Sequence, residues 1–139
     1  MKKRVLFLCT GNSARSQMAE GLLRKMAGDK YEVFSAGTHA KGLHPLAVEA
    51  MRAIDIDISM QTSKNVRVFD GQSFDYVITV CDRARQACPV FPGSMPIHWG
   101  FDDPAEASGP RDSQLETFRR VRDEISHRLR LFVLANKDQ

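Results

Sequence analysis

"VLFLCTGNSARSQMAEG", residues 5 to 21, decides the fold. It opens on the wholly apolar run Val5-Leu6-Phe7-Leu8, the pattern of a strand covered on both faces of a parallel sheet. From Ala14 it turns helical, with Met18, Leu22 and Met26 at spacings of four, Ala19 and Leu23 beside them, and Gly28-Asp29 as the stop. A plain strand-to-helix turn calls only for glycine and a capping residue, which accounts for Gly11, Asn12 and Ser13. Cys9 and Arg15 ask for a chemical reason.

Outward from this stretch, Tyr31 to Ala36 reads as a second strand closed by Gly37, completing a βαβ unit. Pro45 to Ile54 reads as a helix, with Pro45 placed near its first turn. Phe74 to Val80 and Met95 to Trp99 read as third and fourth strands, separated by Cys81 to Gly93, a segment with room for one helical turn. Ser113 to Ala135 carries Leu115, Phe118, Val121, Ile125, Leu129 and Phe132 at spacings of three and four, a long amphipathic helix. The pairs Glu116/Arg120 and Glu124/Arg128 are read as its solvated face. This alternation predicts an α/β fold, an open four-stranded parallel sheet with helices on both faces, whose ligands bind beyond the carboxyl ends of the strands. Cys9, Cys81 and the segment after Trp99 all fall at such ends.

The 139 residues are expected to form a single domain, 1–139, since a chain of this size buries roughly 65–70% of its unfolded surface. Twenty basic residues against 17 acidic ones, spread along the chain, suit small anions better than nucleic acid. The basic start Met1-Lys2-Lys3-Arg4 imitates an export signal, but the apolar run behind it stops at Cys9 and Thr10, short of the ~7–15 residues such a segment needs. No stretch approaches a membrane span. The protein is therefore expected in the cytoplasm, as a monomer, where a structural disulfide is uncommon and three cysteines need another explanation.

At the opening stretch, the backbone N–H groups of Thr10, Gly11, Asn12, Ser13, Ala14 and Arg15 can curl around a tetrahedral oxyanion, with the helix N-terminus behind them adding positive potential. Gly11 and Asn12 are the residues that most readily take left-handed conformations. Arg15, six positions after Cys9, can return over the loop and grip two oxygens with its planar fork. Amides, helix dipole and guanidinium together favour a thiolate at Cys9. Cys9 is then a nucleophile facing the central atom of a bound anion, and Ser16 can donate a hydrogen bond to its sulfur.

Cys81 and Cys88, in "CDRARQACP", have three readings: small core residues flanking a helical turn, a zinc site, or thiol–disulfide exchange. Zinc fits poorly, because C-x6-C is wider than ligand spacing and no second cysteine pair or histidine cluster accompanies it. Metal ligation is therefore not expected. Exchange chemistry would let a second thiol attack the first and a third resolve the disulfide. A bridge needs Cα atoms under ~7 Å apart, whereas the ends of a helix over residues 81–88 lie ~10.5 Å apart, so the intervening turn must unwind.

The stretch "VLFLCTGNSARSQMAEG" resembles the phosphate loop of the low-molecular-weight protein tyrosine phosphatase superfamily, and "HWGFDDPAE" supplies its late Asp-Pro as Asp103-Pro104. With "SAGT", "DIDIS", "TSK", the Cys81/Cys88 pair and "FRRVRDEI", the likeness spans nearly the whole chain and is most similar to the thioredoxin-coupled arsenate reductases. The resemblance implies that Cys9 attacks arsenate held by residues 10 to 16, and that Asp103 protonates the leaving oxygen. Cys81 would then attack Cys9 to release arsenite, Cys88 would attack Cys81, and thioredoxin would reduce the Cys81–Cys88 disulfide, glutaredoxin or another thiol being the alternative donor. Asp102 is expected to be a loop or capping residue.

Some relatives bind potassium through residues matching Asn12, Glu20 and Ser35 and an aspartate at the position of Lys64. Lys64 puts an ammonium there, so no potassium dependence is expected, and Asn12, Glu20 and Ser35 keep the role of organising the loop. Trp99 and the histidines at 39, 44, 98 and 127 are read as core or surface residues. A tyrosine phosphatase using Cys9, Arg15 and Asp103 is the competing enzyme, disfavoured because Ala105 and Glu106 stand where that family places aromatic walls. A non-catalytic redox or anion sensor is the third reading.

Overall fold

The computed structural model describes residues 1–89 and 91–137. Val90, inside the Cys81 to Gly93 segment, and the last two residues of the expected domain 1–139 lie outside the described residues. The apolar run at Val5 lengthens into β1 (Lys3–Cys9), which pairs in parallel with β2 (Tyr31–Gly37) on one side and β3 (Tyr76–Thr79) on the other. A fourth parallel strand, β4 (Met95–His98), adds beyond β3, giving the order β2-β1-β3-β4. The open four-stranded parallel sheet expected from the pattern is the one formed. Val5 to Leu8 are fully buried because β1 has a strand on each side and cover on each face, whereas β4, at the edge, stays half-exposed.

Four helices complete the fold: α1 (Arg15–Ala27), α2 (Pro45–Arg52), α3 (Asp82–Ala87) and α4 (Arg111–Ala135). The pleat sorts the two faces. Phe7 packs on Trp99, which packs in turn on Phe132 of α4, and Ser35, opposite Phe7 in the register, bonds Glu20 of α1. Phe34, one residue away, points to the other face, into a set of edge-to-face rings with Phe69 and Phe74, and Phe74 extends it to Phe91. Phe69 belongs to a short 3-10 helix, Val66–Phe69, which the sequence pattern did not announce.

The stripe on α4 faces the core along the whole helix. Leu115, Phe118, Val121, Ile125, Leu129 and Phe132 are all buried, and each such side chain contributes about 1.5–3 kcal/mol on leaving water. Arg122 is the buried exception, and its guanidinium donates to the carbonyl of Ala50, tying α4 to α2. The expected surface pairs re-sort. Arg120 reaches forward to Glu124 and across to Asp102, rather than back to Glu116, and Arg128 lies 5.5 Å over the Trp99 ring. At about 3.6 residues per turn both i−4 and i+4 lie beside Arg120, and Asp102, on the loop before α4, decides between them. Asp102 is thus an ion-pair partner rather than a cap. No helix among the described residues is long and apolar enough to cross a membrane.

Candidate active site

The carboxyl ends of β1, β2 and β3 open onto a cavity of ≈ 580 Å³ lined by Cys9 to Arg15 except the buried Asn12, by Lys41 to Pro45, by Cys81 to Arg83, and by Asp103, Ala105 and Glu106. Thr10 to Ala14 form an irregular loop between β1 and α1. Its carbonyls are turned outward and bonded by the segment after β2: Thr38 N–H to Cys9, His39 to Thr10, Lys41 to Gly11, and His44 to Ser13, at 2.8–3.2 Å. With the carbonyls so engaged, the N–H groups of Gly11, Asn12, Ser13 and Ala14 meet no protein acceptor among the described residues. Ala14 offers no side-chain cap to α1 either. Several orphan donors and a helix N-terminus therefore converge on one place, the ordinary requirement for holding an anion.

Asn12 carries the left-handed backbone of the loop, at φ 45°. Gly11 does not share it. There the missing Cβ matters for a different reason, since the stem of Lys41 would lie 3.3 Å from it. Gly37, ending β2, is the tightest approach: a Cβ would sit 2.5 Å from the Thr10 carbonyl oxygen and 2.8 Å from the Asn12 nitrogen. Only glycine lets the sheet edge press against the loop.

Cys9 is buried, with Sγ 2.8 Å from Ser16 Oγ. A chain of hydrogen bonds fixes the direction of that contact. Glu20 accepts from Ser35 Oγ at 2.5 Å and from Arg24 at 2.7 Å, so the Ser35 hydroxyl is a donor there and must accept from Asn12 Nδ2, at 3.0 Å. Asn12 Oδ1 is held by Lys64 N–H and Gln17 Nε2. Its amide therefore gives its second proton to Ser16 Oγ, at 2.8 Å, leaving the serine hydroxyl proton for the Cys9 sulfur. Gln17, fully buried and overlooked in the sequence, locks the Asn12 side chain and also donates to the Thr62 carbonyl. The Lys64 ammonium donates to the Thr62 carbonyl at 2.8 Å, and burial holds its pKa below the usual lysine range, with Glu20 working in the opposite direction.

Arg15 donates to the Phe101 carbonyl at 3.0 Å through one nitrogen and faces Asp103 Oδ2 at 3.5 Å through the other. Asp103 caps a second 3-10 helix, Pro104–Glu106, its Oδ1 accepting from Ala105 N–H at 3.0 Å, so the carboxyl is held at the cavity mouth. Ala105 and Glu106 line that mouth without a ring among them.

Cys81 ends the β3 segment and caps α3, accepting from Ala84 N–H, and its sulfur lies 3.3 Å from Thr10 Oγ1 on the same cavity as Cys9. Cys88 stands at the far end of α3, half-buried, and burial pushes its thiol above the usual cysteine range. The structure thus brings Cys9, the loop, Arg15, Asp103 and Cys81 together and leaves Cys88 outside the cavity. All three cysteines are free thiols. Among the described residues no three His, Cys, Asp or Glu side chains gather as a metal site would require.

Two histidines are more than filler. His98 bonds Thr79 Oγ1 at 2.8 Å and Asp82 at 3.0 Å, joining β4 to the first turn of α3. His44 caps α2 and lines the cavity. Its signal was in the sequence, because a proline at the first helical position marks the residue before it as the cap.

A parallel α/β sheet with an amide loop, cysteine and arginine at the end of its first strand defines the class, and the chain belongs to the low molecular weight phosphotyrosine protein phosphatase family, whose sequence model matches residues 4–139. It is 50% identical over 137 residues to the arsenate reductase of Halalkalibacterium halodurans, covering 98% of this chain and 99% of that one. A solved arsenate reductase in the phosphate binding state is 34% identical with a TM-score of 0.76, over 96% of this chain and 98% of its own. The thioredoxin-dependent arsenate reductase of Corynebacterium glutamicum is 30% identical with a TM-score of 0.69, over 97% of this chain and 64% of that one. The resemblance read from the phosphate loop is borne out.

Proposed function

We propose that the protein reduces arsenate to arsenite, with Cys9 as nucleophile and Cys81 and Cys88 as successive exchange partners. The observation that carries this reading is a second thiol, Cys81, on the same cavity as Cys9, the orphan amides, Arg15 and Asp103. Arsenate sits on the amides of residues 10 to 15 with Arg15 across two of its oxygens. The Cys9 thiolate attacks arsenic, and an arsenic-bound hydroxyl leaves as water with the proton of Asp103. Cys81 then attacks the Cys9 sulfur. The S–As bond breaks, its electron pair stays on arsenic, arsenite departs and a Cys9–Cys81 disulfide remains.

Cys88 attacks Cys81, frees Cys9 and leaves a Cys81–Cys88 disulfide. The seven steps from Cys81 to Cys88 across the six-residue α3 put the two Cα atoms ~10.5 Å apart, so α3 must unwind for this step, and its shortness favours that. Unwinding also relieves the burial that pushes the Cys88 thiol above the usual cysteine range. Thioredoxin is the electron donor we favour, supported by the dependence named for the Corynebacterium glutamicum neighbour. A phosphatase reading uses the same Cys9, Arg15 and Asp103, but the ring-free mouth at Ala105 and Glu106 disfavours an aryl phosphate, and only weak activity of that kind is expected.

The test is disulfide mapping by peptide mass after reduced protein meets arsenate without a reductant. Wild type is expected to accumulate Cys81–Cys88, and Cys88→Ser to stop at Cys9–Cys81. A disulfide that spares Cys81 in the wild type, or arsenite-yielding turnover of Cys81→Ser equal to wild type, would sink the relay. NADPH oxidation coupled through thioredoxin and its reductase checks the donor; support by glutathione and glutaredoxin alone would replace it.

Potassium is expected to be irrelevant. Both Glu20 oxygens already accept from protein donors, the Ser35 hydroxyl oxygen accepts from Asn12, the Asn12 amide oxygen is held by Lys64 N–H and Gln17, and the Lys64 ammonium lies within the influence of Glu20, so this donor set does not fit a cation. Equal turnover in potassium and sodium salts at fixed ionic strength is the expected outcome, and a rise with potassium alone would count against it.

A further inference from the structure

The segment between β2 and α2 is bonded along the whole outer side of the anion loop, and His44 is its last contact, with its N–H on the Ser13 carbonyl at 3.0 Å. Its ring is fixed twice more. Nδ1 accepts the Leu46 N–H at 3.1 Å as the cap of α2, and the ring packs on Phe118 with centroids 4.7 Å apart. An imidazole whose Nδ1 is an acceptor carries its proton on Nε2. That Nε2–H has no hydrogen-bond partner among the described residues, and His44 lines the cavity together with Cys9, Arg15 and Asp103, with its ring close enough to feel the Asp103 charge.

We propose that His44 is a substrate-binding residue, its Nε2–H donating to an outer oxygen of the tetrahedral anion. This rests on the oxyanion reading of the cavity. Cys9 and the amides hold the inner side of the anion, and Arg15 takes one flank. His44, tied to the loop through the Ser13 carbonyl and lining the same cavity, supplies a further donor there. The donor is neutral. Burial lowers the His44 pKa, Asp103 opposes it, and protonation at Nδ1 would break the cap on α2. A neutral donor adds a directional bond without drawing the Asp103 carboxyl into a second ion pair beside Arg15.

Two variants isolate the donor. His44→Ser keeps an N-cap oxygen for Leu46 but gives up the ring and its contact with Phe118. His44→Phe keeps the ring and gives up the cap. The Nε2–H is what both lack. The readout is protection of Cys9 from iodoacetamide by inorganic phosphate, quantified on the Cys9 peptide, with thermal unfolding recorded alongside. Both variants are expected to need about tenfold more phosphate for half protection, whatever their unfolding temperatures, and to show arsenate KM raised about as much with kcat changed by less than about twofold. Phosphate protection unchanged in either variant overturns the proposal, since binding would then follow the cap or the packing. Failure of phosphate to protect wild type would overturn the oxyanion reading itself, and the role of His44 with it.

Discussion

Exchanging Cys9 for serine is expected to lower arsenate turnover by about 10⁴-fold or more, to the limit of detection. Two separate deficits combine. Sγ sits at the end of β1 with the Ser16 hydroxyl proton directed at it and the unpartnered loop amides on the same cavity. A serine hydroxyl in the same place is far less acidic, and no base within the described contacts stands ready to take its proton. The second deficit is electronic. Even an arsenate ester formed on serine could not be resolved, because attack by Cys81 must form a sulfur–sulfur bond to hand an electron pair to arsenic. The amide cradle is untouched by the change, so inorganic phosphate should still stabilise the variant against heat by mass action. Turnover within tenfold of wild type would move the nucleophile elsewhere, with Cys81 the first place to look.

The second large effect is at Asp103. Asparagine there keeps the shape and the bond from Ala105 N–H, but carries no proton to give, and arsenate turnover should fall by about 10²–10⁴-fold. The loss belongs to kcat, since Arg15 and the amides still hold the anion. The pH dependence distinguishes a missing acid from a damaged pocket: the limb of the kcat profile that reports a required protonated group should vanish in Asp103→Asn, while phosphate protection of Cys9 persists. A variant that keeps both its rate and its profile would put the proton donor elsewhere. Glu106, on the same rim, would be the next carboxyl to change.

Legibility followed sequence distance. The cradle was readable because Cys9, the amides and Arg15 lie within one short stretch whose strand and helix announce themselves by periodicity. The open parallel sheet came with it, since a βαβ unit followed by further apolar runs leaves few arrangements, while the order of its strands emerged only in the structure. What escaped was assembled across distance. His44 and Lys41 reach the cavity because loop carbonyls need donors, and the segment after β2 supplies them. The turn chemistry misassigned Gly11, whose role is to admit the Lys41 stem, while the left-handed angle fell to Asn12 alone. On α4 the charge pairs obeyed a neighbour from another element, Asp102, which no helical spacing can reveal.

The row of bonds from Thr38, His39, Lys41 and His44 onto the carbonyls of the loop has a consequence for how such a site can be changed. The loop's shape is held by amides from another segment, so its amide geometry is settled during folding and little reorganisation is left for the anion to drive. Residues 38 to 44 are then a tuning dial for affinity that leaves every amide contact to the anion in place. Selection or design aimed at separating arsenate from the slightly smaller phosphate would find its graded steps there, in a backing strip, while Cys9 to Arg15 admit only success or failure.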